Sequence, residues 1–150
     1  MTDSADFLVI LDRLREKRQS KPGKYSDGAT EEALKAMDER LTLPLPGRWR
    51  DILRITNGFY DYRYSTYEAH MIRTTDLDDR DLDLPYVGIL VGEDDYSSCY
   101  VLDATRTTSD GDCPVFHVDH EFGTSEYANI SQYLAYVLDV IDEEPDDEDE

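Results

Sequence analysis

The chain has 150 residues, the size of one domain, and its 35 acidic against 15 basic side chains give a formal net charge of −20. Such an excess of negative charge repels phosphate backbones and anionic membrane surfaces, which excludes a nucleic-acid binder or a membrane-surface protein and favours a basic protein partner. The acidic, polar start Met1-Thr2-Asp3-Ser4-Ala5-Asp6, with no apolar run approaching the roughly 18 residues of a membrane span, points to a cytoplasmic protein.

The first predicted helix covers Asp6 to Arg18, with Phe7, Ile10, Leu11 and Leu14 on one face and Arg13, Arg15, Lys17 and Arg18 crowding its negative C-terminal end. Ser20 to Gly28 carries loop breakers. A second helix follows over Thr30–Leu41, with Thr30 as its cap, Glu31 and Glu32 against the positive end of the dipole, and Leu34, Met37 and Leu41 as an apolar line. Pro46 suits the first turn of a third helix that stops at Asn57-Gly58. Its spacing buries Trp49, Ile52, Leu53 and Thr56 and leaves Arg48, Arg50, Asp51 and Arg54 mostly to solvent.

Phe59–Tyr67 alternates aromatic and polar residues as a half-exposed strand or ordered loop does, with Tyr60, Tyr62 and Tyr64 on one side. A strand over Ala69–Thr74 and an acidic loop over Asp76–Pro85 come next, and then strands at Val87–Gly92, Cys99–Asp103 and Pro114–Glu121. If 99–103 and 114–118 form a hairpin, Cys99 lies near Val118 and away from Cys113, so both cysteines read as reduced small hydrophobes. The last helix has Asn129 as cap, Gln132 as in a capping box, and Ile130, Tyr133, Leu134, Val137, Leu138 and Ile141 as its stripe. The folded domain is expected over residues 1–141, with its core at about 30–141. The almost wholly acidic 142–150 reads as a disordered tail.

The capped acidic-start helix at Thr30, the Leu43-Pro44-Leu45-Pro46 turn and the helix closing on Asn57-Gly58 resemble the opening of the SMI1/KNR4 family, also called SUKH. The later strands, running into Glu93-Asp94-Asp95 and through Cys99-Tyr100-Val101-Leu102-Asp103, keep the family's order over roughly residues 30–141. Asp94-Asp95-Tyr96-Ser97-Ser98 departs from it in lacking glycines. The resemblance implies an α+β domain with a central, mainly antiparallel sheet flanked by helices. It also implies an immunity protein that neutralises a toxin, often a nuclease, or else a regulatory protein-interaction scaffold.

Enzyme chemistry finds little footing. His117 and His120 stand three apart, which on a strand sends them to opposite faces, so no metal site is expected. Ser97-Ser98-Cys99 has no nucleophile elbow, the acidic runs lack the donor spacing of a calcium loop, and no glycine-rich phosphate loop is present. Neither a cofactor nor a catalytic residue is expected. The candidate partner-binding residues are Tyr60, Asp61, Tyr62 and Tyr64, Asp78 and Asp79 of the acidic loop, and Glu93, Asp94, Asp95 and Tyr96. Tyrosine gives large contact area at low entropy cost, and carboxylates select a basic partner. Against this, Tyr60 and Tyr64 could simply cover core or sheet edge, and acidity can serve solubility alone.

Overall fold

Three helices lead into a run of short strands and a fourth helix closes the chain, and every strand pairing is antiparallel, an α+β arrangement. The computed structural model describes residues 4–75, 88–95, 98–119 and 123–143. The helices are α1 (Ser4–Ser20), α2 (Glu31–Arg40), α3 (Gly47–Ile55) and α4 (Ile130–Glu143). The strands are β1 (Tyr60–Asp61), β2 (Tyr64–Thr66), β3 (Arg73–Thr75), β4 (Gly88–Asp94), β5 (Ser98–Leu102), β6 (Val115–Asp119) and β7 (Gly123–Tyr127). They form one sheet in the order β1-β2-β4-β5-β6-β7, and β3 takes the part of the β4 edge that β2 leaves, opposite Gly88–Leu90. Among the described residues no helix is long and apolar enough to cross a membrane.

The helix ends follow from local chemistry. Ala33 N–H donates to Thr30 Oγ1 at 3.0 Å, and Gln132 N–H donates to Asn129 Oδ1 at 2.8 Å. The Gln132 side chain reaches back one residue further than a capping box does, accepting from Ala128 N–H at 2.6 Å. Thr56 ends α3 in extended backbone, and Gly58 then turns the chain at φ +97°, where a Cβ would lie 2.9 Å from the Thr66 carbonyl oxygen.

One face of the sheet carries the core. Tyr100, Leu102 and Val115 pack there against Trp49, Tyr133, Leu134 and Leu138 of α3 and α4, with Phe7, Ile10, Leu11 and Leu14 of α1 in the same cluster. The opposite face holds a smaller buried cluster of Leu90, Cys99, Val101, Phe116 and Val118. Cys99 pairs with Val118 as expected, and both cysteines are buried and outside any disulfide. Burial, chiefly, pushes the Cys113 thiol up to about 12. That leaves roughly a thousandfold less thiolate at neutral pH than an ordinary thiol has. A chromogenic disulfide reagent is therefore expected to reach Cys113 only as fast as the protein opens, and at once in denaturant; rapid labelling of the native protein at this residue would contradict its burial.

Four expectations change. Arg48 is 4% exposed, because its partner lies far along the chain: Nη1 donates to Asp112 Oδ2 at 2.6 Å and Nη2 to Asp110 at 3.1 Å, with the guanidinium 4.8 Å from the Phe7 ring. The Ala69–Thr74 segment is a 3-10 turn (Ala69–Met71) followed by β3, since Asn57 Oδ1 takes the Ala69 N–H and holds a turn there. Asp142 belongs to α4 and not to a tail, held by Lys17 and by Arg13 at 3.0 Å. β7, unforeseen in the sequence, adds an edge to the sheet beyond β6. The acidic loop after Thr75 and the chain after Glu143 lie outside the described residues.

The loop before β6 joins α3 to α4. Gly111 carbonyl accepts the Arg48 N–H at 3.0 Å, near the start of α3, and Asp112 Oδ1 accepts the Ile130 N–H at 2.8 Å, at the start of α4. Pro46 has no side chain to cap α3, so the loop satisfies an orphan N–H of that helix from outside.

Candidate functional site

A tight hairpin decides which of the candidate residues face outward. Tyr62 and Arg63 form the turn between β1 and β2, Tyr62 at φ +56°, and Tyr60 falls opposite Ser65 and Ser65 opposite Glu93. One residue along, Asp61 falls opposite Tyr64 and Tyr64 opposite Asp94. Directly paired residues share a face, so the two rows point to opposite sides of the sheet.

The row of Asp61, Tyr64 and Asp94 is buried, a correction to the binding role expected of these residues. Asp61, 2% exposed, accepts the Tyr25 hydroxyl at 2.7 Å and the Lys21 ammonium at 3.3 Å. Asp94 accepts the Tyr100 hydroxyl at 2.8 Å and the Ser98 N–H at 3.2 Å, and His117, stacked on Tyr100, brings Nε2 to 3.8 Å from it. The tyrosines do not line one side either: Tyr60 is exposed, Tyr62 half-buried in the turn under the Arg63 guanidinium, and Tyr64 buried. The chain reverses between them, and period two no longer holds.

The other row is open. Tyr60 hydroxyl donates to Asp95 at 2.9 Å, and Tyr67 hydroxyl donates to Glu93 Oε1 at 2.7 Å. The bond to Asp95 raises the Tyr60 phenol, and burial followed by the bond to Glu93 raises the Tyr67 phenol well above its ordinary value, so both protons stay on and point at carboxylates. Beside them lies a cleft of about 470 Å³ between the Pro22-Gly23-Lys24 loop, the hairpin and the 3-10 turn. Glu68, His70 and Met71 complete its rim, with Met71 49% exposed. Asp78, Asp79 and Tyr96 lie outside the described residues.

Sequence reasoning missed Tyr67, Glu68, His70 and Met71 as site residues. Only Tyr67 carried a signal, as the end of the aromatic run; the rest come to the cleft through the 3-10 turn, whose anchor to Asn57 no local pattern announces. Among the described residues no group of three or more metal-ligating side chains is gathered. Many cations are already committed within the fold: Arg13 and Lys17 to Asp142, Arg48 to Asp112, Arg50 to Asp38, Arg54 to Glu31 and Arg106 to Asp103 and Glu126. Glu68, Glu93 and Asp95, by contrast, are exposed.

No protein-family model matches the chain, and no curated protein is significantly similar to it.

Proposed function

We propose that the protein is a non-enzymatic binding module of immunity type, which captures and neutralises a cationic protein through the cleft beside β1 and β2. The observation that carries this reading is the set of Tyr60, Glu93 and Asp95 with Tyr67, in which each phenol holds a carboxylate in place and Glu93 lines the cleft. Pre-positioned carboxylates lose little freedom on binding, and tyrosine rings supply the desolvated area that hot spots need. A nuclease toxin suits the charge, since its phosphate-binding groove must be cationic and a strongly acidic inhibitor can occupy it. The resemblance in element order to SMI1/KNR4 proteins supports the same reading.

The test is capture from the native host along a salt gradient, run side by side for the unaltered chain and for the double variant Glu93→Lys, Asp95→Lys. One basic toxin is expected to elute only at high salt and to lose its activity on mixing with the unaltered chain. The double variant is expected to slow association at least about tenfold, to flatten its salt dependence, and to leave the melting temperature nearly unchanged. Several neutral partners, held equally by both forms, would replace the immunity reading with that of a regulatory scaffold.

A further inference from the structure

We infer that the cleft receives one arginine side chain of the partner, with Glu93 as its counter-ion and Tyr60 and Tyr67 as its walls. This rests on the cleft being the partner surface, and goes further by naming what enters it. At about 470 Å³ the cleft lies within the size range of small-ligand sites and has room for an arginine side chain with its flanking backbone. Phe59, Tyr60, Tyr67 and Met71 supply its apolar lining.

Its polar groups sort the possible occupants. Glu93 spends Oε1 on the Tyr67 hydroxyl, and its other oxygen has no bonding partner among the described residues. Glu68 stands on the same rim, its Oε1 3.3 Å from His70 Nδ1. Lys24 also lines the cleft, its ammonium 3.6 Å from Asp61, a carboxylate it shares with Lys21. With Glu68 and Glu93 against one ammonium the lining is net acidic and disfavours an anion, and a neutral apolar group would desolvate Glu93 without returning a hydrogen bond. A cation both pairs with Glu93 and lies against aromatic faces. Arginine fits better than lysine because its planar guanidinium is weakly hydrated, stacks on rings and donates in a fork.

Amide chemical shifts, followed while a capped Gly-Arg-Gly peptide is titrated into the full chain, test this directly. Matched peptides carrying lysine or the neutral isostere citrulline serve as comparisons. The arginine peptide is expected to shift Tyr60, Ser65, Tyr67 and Glu93 saturably, the lysine peptide to bind several-fold more weakly, and citrulline to leave these residues unmoved. Glu93→Gln, which keeps the side chain's shape, is expected to weaken the arginine peptide about tenfold. Equal shifts from arginine and citrulline, or arginine shifts spread over acidic faces away from the cleft, would overturn the assignment. Should the peptide ignore the cleft while Glu93→Lys, Asp95→Lys still abolishes capture of the toxin, the arginine pocket fails and the binding reading stands. If the peptide fills the cleft but that double variant captures the toxin normally, the partner reading itself falls, and the assignment with it.

Discussion

Asp112→Ala is expected to lower unfolding free energy by about 3–5 kcal/mol, because it strands a buried guanidinium and two backbone donors at once. Asp112 is 5% exposed and accepts from Arg48 Nη1 at 2.6 Å and from the Cys113 and Ile130 N–H groups at 2.8 Å each. The two ends of the pair are not equivalent. Without Arg48, Asp112 would keep both backbone donors and the positive end of α4; without Asp112, Arg48 would keep Asp110 alone, whose side chain is 52% exposed. Asp112→Ala therefore costs more than Arg48→Ala, and Asp112→Asn, which retains an acceptor for Ile130, falls between Asp112→Ala and the unaltered chain. Urea unfolding read by tryptophan fluorescence measures all three, and a fall of about 10 °C in melting temperature is expected for Asp112→Ala. Asp110→Ala is the control and is expected to leave stability nearly unchanged, as the loss of an exposed pair does. A loss as large at Asp110 would show that the exposed carboxylate, and not the buried one, balances Arg48.

That loop also marks where sequence reading stops. Thr30, Asn129 and Gln132 announce their helices because a cap bonds within a few residues of itself, and Cys99 opposite Val118 follows from hairpin geometry. Arg48 looks solvent-facing because helical spacing sorts apolar from polar side chains, and its partner stands 64 residues later on a loop. No local period encodes such a pair. β7 was missed for a related reason: Gly123-Thr124-Ser125-Glu126-Tyr127 is polar, and on the outer edge of the sheet Thr124, Ser125 and Glu126 are exposed.

The candidate site was half legible. Composition found the right segments, tyrosines interleaved with carboxylates at 60–64 and 93–96, and the antiparallel pairing of β2 with β4 brings those segments together. It could not divide them, since a turn at Tyr62-Arg63 changes which alternate residues face out. A register of β2 on β4 one residue different would turn Asp61 and Tyr64 outward.

Neighbouring carboxylates should therefore behave oppositely. Asp94→Ala is expected to destabilise the protein by about 2–4 kcal/mol, whereas Glu93→Ala shifts it by no more than about 0.5 kcal/mol. Asp94 is 8% exposed, and its removal leaves the Tyr100 hydroxyl, itself 2% exposed, with no acceptor. Tyr100 cannot escape by ionising, because burial, the neighbouring Tyr133 and the bond to Asp94 all hold its proton on. Tyr100→Phe removes the stranded donor, so the double variant with Asp94→Ala should recover part of the loss, and a double-mutant cycle by denaturant unfolding reads that coupling. Removing Glu93 strands only the Tyr67 hydroxyl, which borders the open cleft where water can serve it. Its loss should register in partner association instead. Were Asp94→Ala to leave stability untouched and weaken the partner, Asp94 would belong to the binding row and not to the interior.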